Sequence, residues 1–572
     1  MSTEKNSTDK KAKTMPADFK MKPDAVYFVP LGGCGFFGAN MALYGCNDKW
    51  IMIDCGMGFA DDTMPGVDIL LPDPSFATSL GDRLLGIVFT HAHEDHIGAI
   101  EHLWPRLKKP LYATPFTAAR IRQDLLEQSW GTQAKLHEVN PKKTLELGPF
   151  SIRFIDVAHS IPEAQALAIT AAGVGTILHT GDWKIDADPV VGKLTDGPAL
   201  RALGDSGVLA LVGDSTNAMV PGHSGSERTV RENLAELFRE FSGAIVISCF
   251  STNVARVHSI YHAAQKCGRQ VCLVGRSLWA VEDAARESGY MNGLPPFLDG
   301  DIARQLPSEK LVYVCTGSQG EPRAALARIS NDDHPDVSLA PGDVVIFSSR
   351  TIPGNERAIE RIKNRLYALG VDIVTERDAP VHVSGHPYRD ELKQMYEWVR
   401  PRFAIPVHGE RMQMEKHGLL ARECGVENAI VPENGKVIEI SARDVAVIGE
   451  VKSGVLAIEG KRIVETNHEA ILARKRIMWN GSLVVTAVVS KAGDLMAPVQ
   501  ITALGLLDEN SELDAGYIDD VIAEVGEKVR NLSKDDRRDD NILSEAIRVT
   551  ARRFFAERFD RKPQTRVHLV RV

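Results

Sequence analysis

The sequence predicts an α/β protein of about three domains: a strand-built metal-binding domain, an α/β domain inserted into it, and a small α+β domain at the C-terminus. Three observations support this. The 572 residues are too many for one hydrophobic core. Histidines and carboxylates stand on loops beside apolar runs at 84–98, at 151–182 and again at 382–410. Between these segments, from about Glu227, short apolar runs alternate with helical patterns, the texture of a parallel sheet with helices on its faces. A catalytic domain that stops and later resumes has this order.

The composition is that of an ordinary globular chain, 44% apolar and 25% charged. A net charge of -9 argues against a surface coated with nucleic-acid-binding charge, though a local basic channel remains compatible with it. The eight cysteines include no Cys-x-x-Cys pair, and Cys249, Cys272 and Cys315 lie in apolar runs as small hydrophobes. No disulfide framework, signal-peptide core or membrane-length apolar run is apparent, so a cytoplasmic enzyme in a reducing compartment is expected.

Residues 1–22 are polar and charged and read as a disordered tail. The first strand is expected at Ala25–Val29, followed by a tight glycine turn over Gly32–Gly38. A phosphate-cradling loop is the alternative for that turn, but no Lys-Ser/Thr follows it. Trp50–Asp54 is a second strand; Asp54 either caps the turn at Gly56 or orients a histidine of the site.

The apolar run Leu84–Phe89 then delivers Thr90-His91-Ala92-His93-Glu94-Asp95-His96. Imidazoles and carboxylates suit zinc or manganese. His91 and His93, at i and i+2, can grip one ion while Asp95 and His96 face a second. A solvated His-rich loop is the alternative, and the density of ligand types behind a buried strand weighs against it. Helical spacing runs from Ile97 to Trp104, ahead of Pro105.

Two more strands, Ser151–Val157 and Gly175–Leu178, end in polar residues that include His159 and Asp182. Alone, one would be a loop histidine and the other a helix cap; beside the first cluster they complete a two-metal set, with Asp182 as the natural bridge. Leu209–Gly213 ends in Asp214. The inserted domain is expected over 226–380, with strands at Ala244–Ser248, Val271–Val274, Leu311–Cys315 and Asp343–Phe347 and helices at 228–241 and 254–266. Metal-site texture returns in His382–His386 and Ile405–Glu410. The domains read as 23–225, 226–380 and 381–450, then a Gly- and charge-rich linker at 451–470 and a C-terminal α+β domain at 471–572. In that last domain Arg548, Arg552, Arg553, Arg558, Arg561, Lys562 and Arg566 form a basic end, read either as a solvated helix face or as an RNA or oligomer contact.

The His-x-His-x-Asp-His signature resembles the metallo-β-lactamase superfamily. With the insertion, Asp214, His386 and His408, the chain resembles the beta-CASP nucleases. The segments His159–Ala164, His179–Lys184, Gly213–Asn217, His382–His386 and Pro406–Glu410 look like the bacterial ribonuclease J family. The resemblance implies a metallo-β-lactamase αββα sandwich interrupted by a beta-CASP domain. It implies a two-metal ribonuclease, a 5′-to-3′ exonuclease preferring 5′-monophosphate ends with some endonuclease activity, working in messenger RNA decay and ribosomal RNA maturation. By resemblance, His91, His93 and His159 would hold one ion, Asp95, His96 and His408 the other, and Asp182 would bridge them, zinc being the first choice and manganese the alternative. His386 would pass a proton to the leaving group, with Asp95 and Asp182 at the reacting centre. Phe250, Ser251, Thr252 and Asn253, facing His382, Val383, Ser384, Gly385 and His386, would contact single-stranded RNA; Asp54 and Asp214 would support from behind. The resemblance also implies a homodimer or homotetramer, with a helicase or the ribosome as candidate partners and no membrane. One departure is visible: the family's glycine turn commonly carries an acidic residue where this chain has Phe36 or Phe37.

Two rival readings are weaker. A thioester hydrolase or β-lactamase on the same scaffold needs neither the insertion nor His386. A non-enzymatic RNA-binding protein with a degenerate site does not need all seven ligand candidates.

Overall fold

The computed structural model describes residues 14–16, 18–352, 354–508 and 510–572. Two compact units result: one runs to Gly58 and from Leu71 to Gly454, the other comprises Phe59–Leu70 and Val455–Val572.

The first unit is built on two sheets packed face to face. The eight-stranded sheet has the order Val445–Glu450, Lys436–Ser441, Ala25–Pro30, Ala42–Cys46, Lys49–Ile53, Leu84–Val88, Leu111–Ala113, Leu136–Glu138. The seven-stranded sheet has the order Leu145–Leu147, Phe150–Asp156, Gln165–Ala171, Gly175–His179, Ala210–Asp214, Phe403–Val407, Asn428–Ala429. Their facing sides meet through Phe28, Ile51, Ile53, Ile152, Ile169, Val212 and Ile405, all buried. Each such side chain contributes about 1.5–3 kcal/mol of apolar burial. Helices Gly197–Asp205, Arg389–Val399 and Arg411–Glu423 cover the outer face of the second sheet through Leu200, Leu392, Trp398 and Leu420. Helix Pro115–Leu126 lies against strands Leu111–Ala113 and Leu136–Glu138 of the first. This is the αββα sandwich. Strand Ala25–Pro30 is buried at all six positions, which explains why its sequence shows no alternation.

The inserted domain is a five-stranded, all-parallel sheet ordered Gln270–Val274, Leu311–Cys315, Ile245–Ser248, Val344–Phe347, Asp372–Val374. Its first strand, Ile245–Ser248, is central; the chain next forms the edge strand Gln270–Val274, returns to insert Leu311–Cys315 between the two, and then extends the other side. In such a sheet ligands are accepted beyond the carboxyl ends, beside the first strand.

In the second unit, strand Ser482–Val489 is flanked by a parallel Gln564–Arg571 and an antiparallel Gln500–Leu504. One face is covered by helices Glu512–Arg530 and Asp540–Phe559 through Val521, Val525, Ile547, Ala551 and Phe554. Buried and half-buried positions alternate along Ser482–Val489 for that reason.

Three expectations change. The stretch 451–470 is not a plain linker: Val455–Glu459 and Arg462–Glu465 pair as a hairpin in a four-stranded sheet with Ile69–Pro72 and Gly58–Phe59, and Ala457 packs with Val67 and Ile471. Gly460, at φ 60°, stands in the turn of that hairpin, and Gly454 directly precedes its first strand. Of the tail 1–22, residues 1–13 and 17 lie outside the described residues. From Thr14 onward the chain is docked: Met15 N–H donates to Glu450 O at 2.8 Å, and the Phe19 ring meets Tyr27 and Trp50 edge-on at 5.1 and 6.2 Å. One aromatic ring in a polar segment suffices to anchor it. Finally, helix Ile100–Leu107 passes through Pro105 instead of stopping before it, because Trp104 and Leu107 are both buried on its inner face.

Phe554 is fully buried at the centre of the second unit's core. Phe554→Ala should destabilise that unit by roughly 3–5 kcal/mol, read as a lower urea midpoint; an unchanged midpoint would show that the ring does not anchor the core.

Candidate metal centre

Strand ends of both sheets converge on one group of donors. Leu84–Val88 leads into Thr90–His96, where a single helical turn, Glu94–Ile97, presents Asp95 and His96. His159 follows Phe150–Asp156, Asp182 follows Gly175–His179, Asp214 ends Ala210–Asp214, and His408 follows Phe403–Val407. The loops meet so closely that a Cβ on Gly56 would lie 1.6 Å from the Asp95 carbonyl oxygen. Gly385 likewise has no room for a side chain, with His159 Cε1 2.9 Å from its would-be Cβ. Asp54 and His408 adopt left-handed backbone, φ 61° and 50°, which non-glycine residues hold only where the surroundings impose it.

Two donor groups share one oxygen. His91 Nε2 and His159 Nε2 each lie 3.8 Å from Asp182 Oδ2, and His93 Nδ1 stands 3.1 and 3.0 Å from those same two nitrogens. On the other side His96 Nε2 and His408 Nε2 are 3.2 and 3.4 Å from Asp182 Oδ2, with Asp95 Oδ2 3.6 and 3.9 Å from them. Within each group the donor atoms all fall within 4.8 Å of one another.

The opposite nitrogen of most of these rings is held from behind. His91 Nδ1 meets the Thr90 hydroxyl at 3.0 Å, and His159 Nδ1 meets the Gly385 carbonyl at 2.5 Å. His96 Nδ1 lies 2.7 Å from Asp54 Oδ2, and His408 Nδ1 lies 3.0 Å from Asn40 Oδ1. Asp54 also accepts both the Thr90 N–H and its hydroxyl at 2.8 Å. Fixing one ring nitrogen in this way aims the other, the arrangement that outer partners give to metal-binding histidines.

The donor chemistry fits divalent cations. Burial and neighbouring imidazoles hold His91 and His159 well below the ordinary histidine range, and burial takes His93 down to about 4, so their lone pairs converge unprotonated. Burial opposes ionisation of Asp182, yet His408 and His96 keep its carboxyl well below the carboxylate range. Its Oδ1 is buried without a hydrogen-bond partner. The neutral imidazoles of His91, His93 and His159, facing each other at 3.0 and 3.1 Å, leave unsatisfied lone pairs that a cation would satisfy. On the other side burial is outweighed by Asp182, Asp95 and Asp54, which raise His96.

His386 sits at the rim. Its Nδ1 is 2.8 Å from Asp214 Oδ2 and 3.8 Å from Asp182 Oδ2. Burial disfavours its imidazolium, but Asp214, Asp182 and Asp95 outweigh that and lift it to about 9. Asp214 is fixed in turn by the Thr216 N–H and hydroxyl at 2.9 and 2.7 Å. The Ser384 hydroxyl accepts from the Asn217 side chain at 2.9 Å and, within its own loop, from the His386 N–H at 3.1 Å. His382 Nδ1 is buried and has no hydrogen-bond partner; burial and the nearby cations Arg256, Lys184 and Arg350 hold that ring well below its usual range. Phe250–Asn253 lie apart from the metal group, on the loop between Ile245–Ser248 and helix Val254–Lys266, where Asn253 caps the helix.

All seven expected ligand candidates are thus brought together, with His386, Asp54 and Asp214 beside them. Sequence reasoning missed Asn40, which touches Asp95 and His96 as well as His408. An Asn after a glycine turn reads as a turn residue, and only the fold brings it to Asp95. Phe37, at the position of the departure from the family pattern, lies edge-on to His408 at 6.3 Å. The C-terminal basic stripe is largely occupied: Arg548 pairs with Glu545, Arg558 lies 3.2 Å from Glu524 and 3.8 Å over the Phe554 ring, and Arg561 donates to Trp479 O at 2.6 Å. A partly neutralised helix face fits these contacts.

Comparisons with known proteins agree along the chain. Residues 242–366 match the family described as "Ribonuclease J, beta-CASP domain", and 49–231 the "Beta-lactamase superfamily domain". Residues 370–432 match a "Zn-dependent metallo-hydrolase RNA specificity domain", and 469–572 the "Ribonuclease J C-terminal domain". A protein named Ribonuclease J from Sinorhizobium meliloti is 40% identical over 96% of this chain and 98% of its own length. One of the same name from Mycolicibacterium smegmatis is 36% identical over 95% and 97%. A crystal structure of a protein of unknown function from Enterococcus faecalis shares the fold at TM-score 0.51 and 17% identity, covering 73% of this chain and all of that one.

Removing Asp182 takes a donor from both groups at once. Asp182→Ala should leave at most one tightly bound divalent ion per chain where the parent retains two, by metal analysis after gel filtration; an unchanged content would show that Asp182 holds neither. Behind the metal loop Arg120 lies 3.2 Å from Glu94 and 3.6 Å from Asp124, and burial, with Glu94, Glu101 and Glu127 nearby and against Arg120, lifts Asp124 to about 7. A folded-state value raised above the ordinary 3.8 contributes stability that is full below 3.8 and lost as pH rises through about 7. Asp124→Asn should therefore raise the unfolding midpoint above pH 7 and change it little below 3.8; an equal shift at both would refute the burial of this carboxyl.

Proposed function

The chain belongs to the ribonuclease J family and is a hydrolytic ribonuclease that binds RNA, and from this we propose that it is a 5′-to-3′ exonuclease preferring 5′-monophosphate ends, with additional endonuclease activity. In this reading it works in the cytoplasm, in messenger RNA decay and ribosomal RNA maturation, as a homodimer or homotetramer that associates with a helicase or the ribosome. The observation that supports the catalytic reading best is the sharing of Asp182 Oδ2 by two donor groups, with His386 3.8 Å from the same oxygen.

His91, His93 and His159 would hold one ion and Asp95, His96 and His408 the other, Asp182 belonging to both donor groups; the imidazole-rich set favours zinc, with manganese the alternative. Bound there, the ions supply a hydroxide nucleophile at neutral pH and positive charge beside the scissile phosphate. Asp54, Thr90 and Asn40 keep the rings aimed, so little reorganisation is needed during the reaction. His386 carries a proton that Asp214 stabilises and gives it to the departing oxygen, a step typically worth 10²–10⁴-fold.

Two features support RNA contact at the expected segments. Phe250–Asn253 precede the N-terminus of a thirteen-residue helix at the carboxyl end of the inserted sheet's central strand, where the helix dipole favours phosphate. The loop from His382 through Val383, Ser384 and Gly385 begins with an unpartnered ring nitrogen among Lys184, Arg256 and Arg350.

Two experiments test this. An RNA labelled internally and at its 3′ end, with a 5′-monophosphate, 5′-triphosphate or 5′-hydroxyl, should release mononucleotides fastest from the monophosphate form, and chelation should abolish release. Internal fragments alone, indifferent to the 5′ group, would discard the 5′-end preference. His386→Ala should keep its metal while the single-turnover rate falls about 10²–10⁴-fold; an unchanged rate would remove His386 from proton transfer.

A further inference from the structure

The junction between the inserted domain and the metal domain turns on one side chain. Arg256, on the first turn of helix Val254–Lys266, is fully buried. Its Nε and Nη2 donate to the two carboxylate oxygens of Glu227 at 2.7 and 3.0 Å. Its Nη1 donates to Ser348 O at 2.8 Å, to Ser348 Oγ at 2.6 Å and to Val381 O at 3.0 Å. Ser348 Oγ itself donates to Val381 O at 2.7 Å. These partners lie at the places that matter for substrate. Glu227 stands where the chain leaves the metal domain, and its N–H donates to Asp186 Oδ2 at 2.9 Å. Val381 immediately precedes the His382–His386 loop. Arg256 N–H is accepted by the Asn253 side chain at 2.9 Å, at the end of the Phe250–Asn253 loop.

We propose that Arg256 is a positioning residue for RNA: its guanidinium ties the helix behind Phe250–Asn253 to the carbonyl ahead of His382 and so fixes the separation of the two segments that grip the strand. The inference rests on the reading above that both segments contact RNA. A planar fork with five donors meets a carboxylate edge and two carbonyls at once. Lysine presents a compact ammonium with three donors and cannot span the same partners, though it keeps the charge opposite Glu227. Misplacing a substrate-holding segment by about 1 Å can lower the rate about 10²-fold without touching the reacting groups.

The test uses the full chain in its metal-loaded form. Arg256→Lys is compared with the parent in metal content, in turnover of bis(p-nitrophenyl) phosphate, a small diester that needs only the metal centre, and in kcat/KM for 5′-monophosphorylated RNA. Hydrogen exchange reports the backbone at 250–253 and 382–386 against 91–96. The expected result is full metal content, diester turnover within about twofold, a loss of about 10²-fold on RNA, and faster exchange at 250–253 and 382–386 alone. Equal losses on both substrates, faster exchange in all three segments, or no loss on RNA would overturn the proposal. The double variant Arg256→Met with Glu227→Gln removes both buried charges together and should show the same split if Arg256→Lys folds poorly. Thr252→Val and His382→Ala separate the two readings. If neither lowers kcat/KM on RNA, the assignment of these segments to RNA fails and this proposal with it; if they do and Arg256→Lys does not, the positioning role alone fails.

Discussion

The structure depends on the burial of one carboxylate oxygen, Asp182 Oδ2, among five imidazoles from four loops. An ionised carboxylate at that depth is expensive unless positive charge surrounds it. Burial holds His91 and His159 below the ordinary histidine range, while against burial the surrounding carboxylates raise His96 and His386. Cations bound by the neutral rings would add to the positive charge around the carboxylate. Both sheets of the sandwich therefore end their strands at the same edge, and the backbone is drawn into left-handed turns at Asp54 and His408 to close the gap. The packed core between the sheets makes this tolerable, because rigid strands on both sides over-determine where each loop begins.

The second layer of contacts explains how such a site keeps its shape. Thr90, Asp54, Asn40 and the Gly385 carbonyl each take one ring nitrogen, and these partners come from both ends of the first unit's sequence. The contact from Gly385 ties the loop that carries His386 to the His159 ring. Asp214 adds the same link from the other side.

Around the junction with the insertion the metal domain buries charged groups that are hydrogen-bonded. Glu391 is wholly buried and accepts from Ile185 N–H, Ser224 N–H and Tyr388 N–H. Asp186 accepts from Glu227 N–H and lies 3.1 Å from Lys184 Nζ, and Arg256 completes the set. Through Arg256 the helix that follows Phe250–Asn253 is hydrogen-bonded to Glu227 and to the carbonyl ahead of His382.

How much was legible follows from the range of each interaction. His91, His93, Asp95 and His96 announce themselves because four candidate ligands within six residues have no other economical use. The inserted parallel sheet shows in runs such as Val344–Phe347, which are apolar at every position because both faces are covered. His159 and Asp182 were readable only beside the first cluster, and the ligand role of His408 only by resemblance, since a lone histidine or aspartate after a strand has several local uses. Asn40 and Arg256 were not readable at all: their partners lie up to 368 and 125 residues away, and nothing local distinguishes them from a turn residue and a surface cation. The hairpin at 455–465 and the docked Phe19 were hidden for the same reason, their partners being distant strands. Sequence determined the donor chemistry, the domain order and the period of each element, all set by nearest neighbours along the chain. Tertiary structure alone decided which oxygen is shared, which ring nitrogen faces it, and which buried arginine joins the two loops, because those depend on distances between segments that only folding brings together.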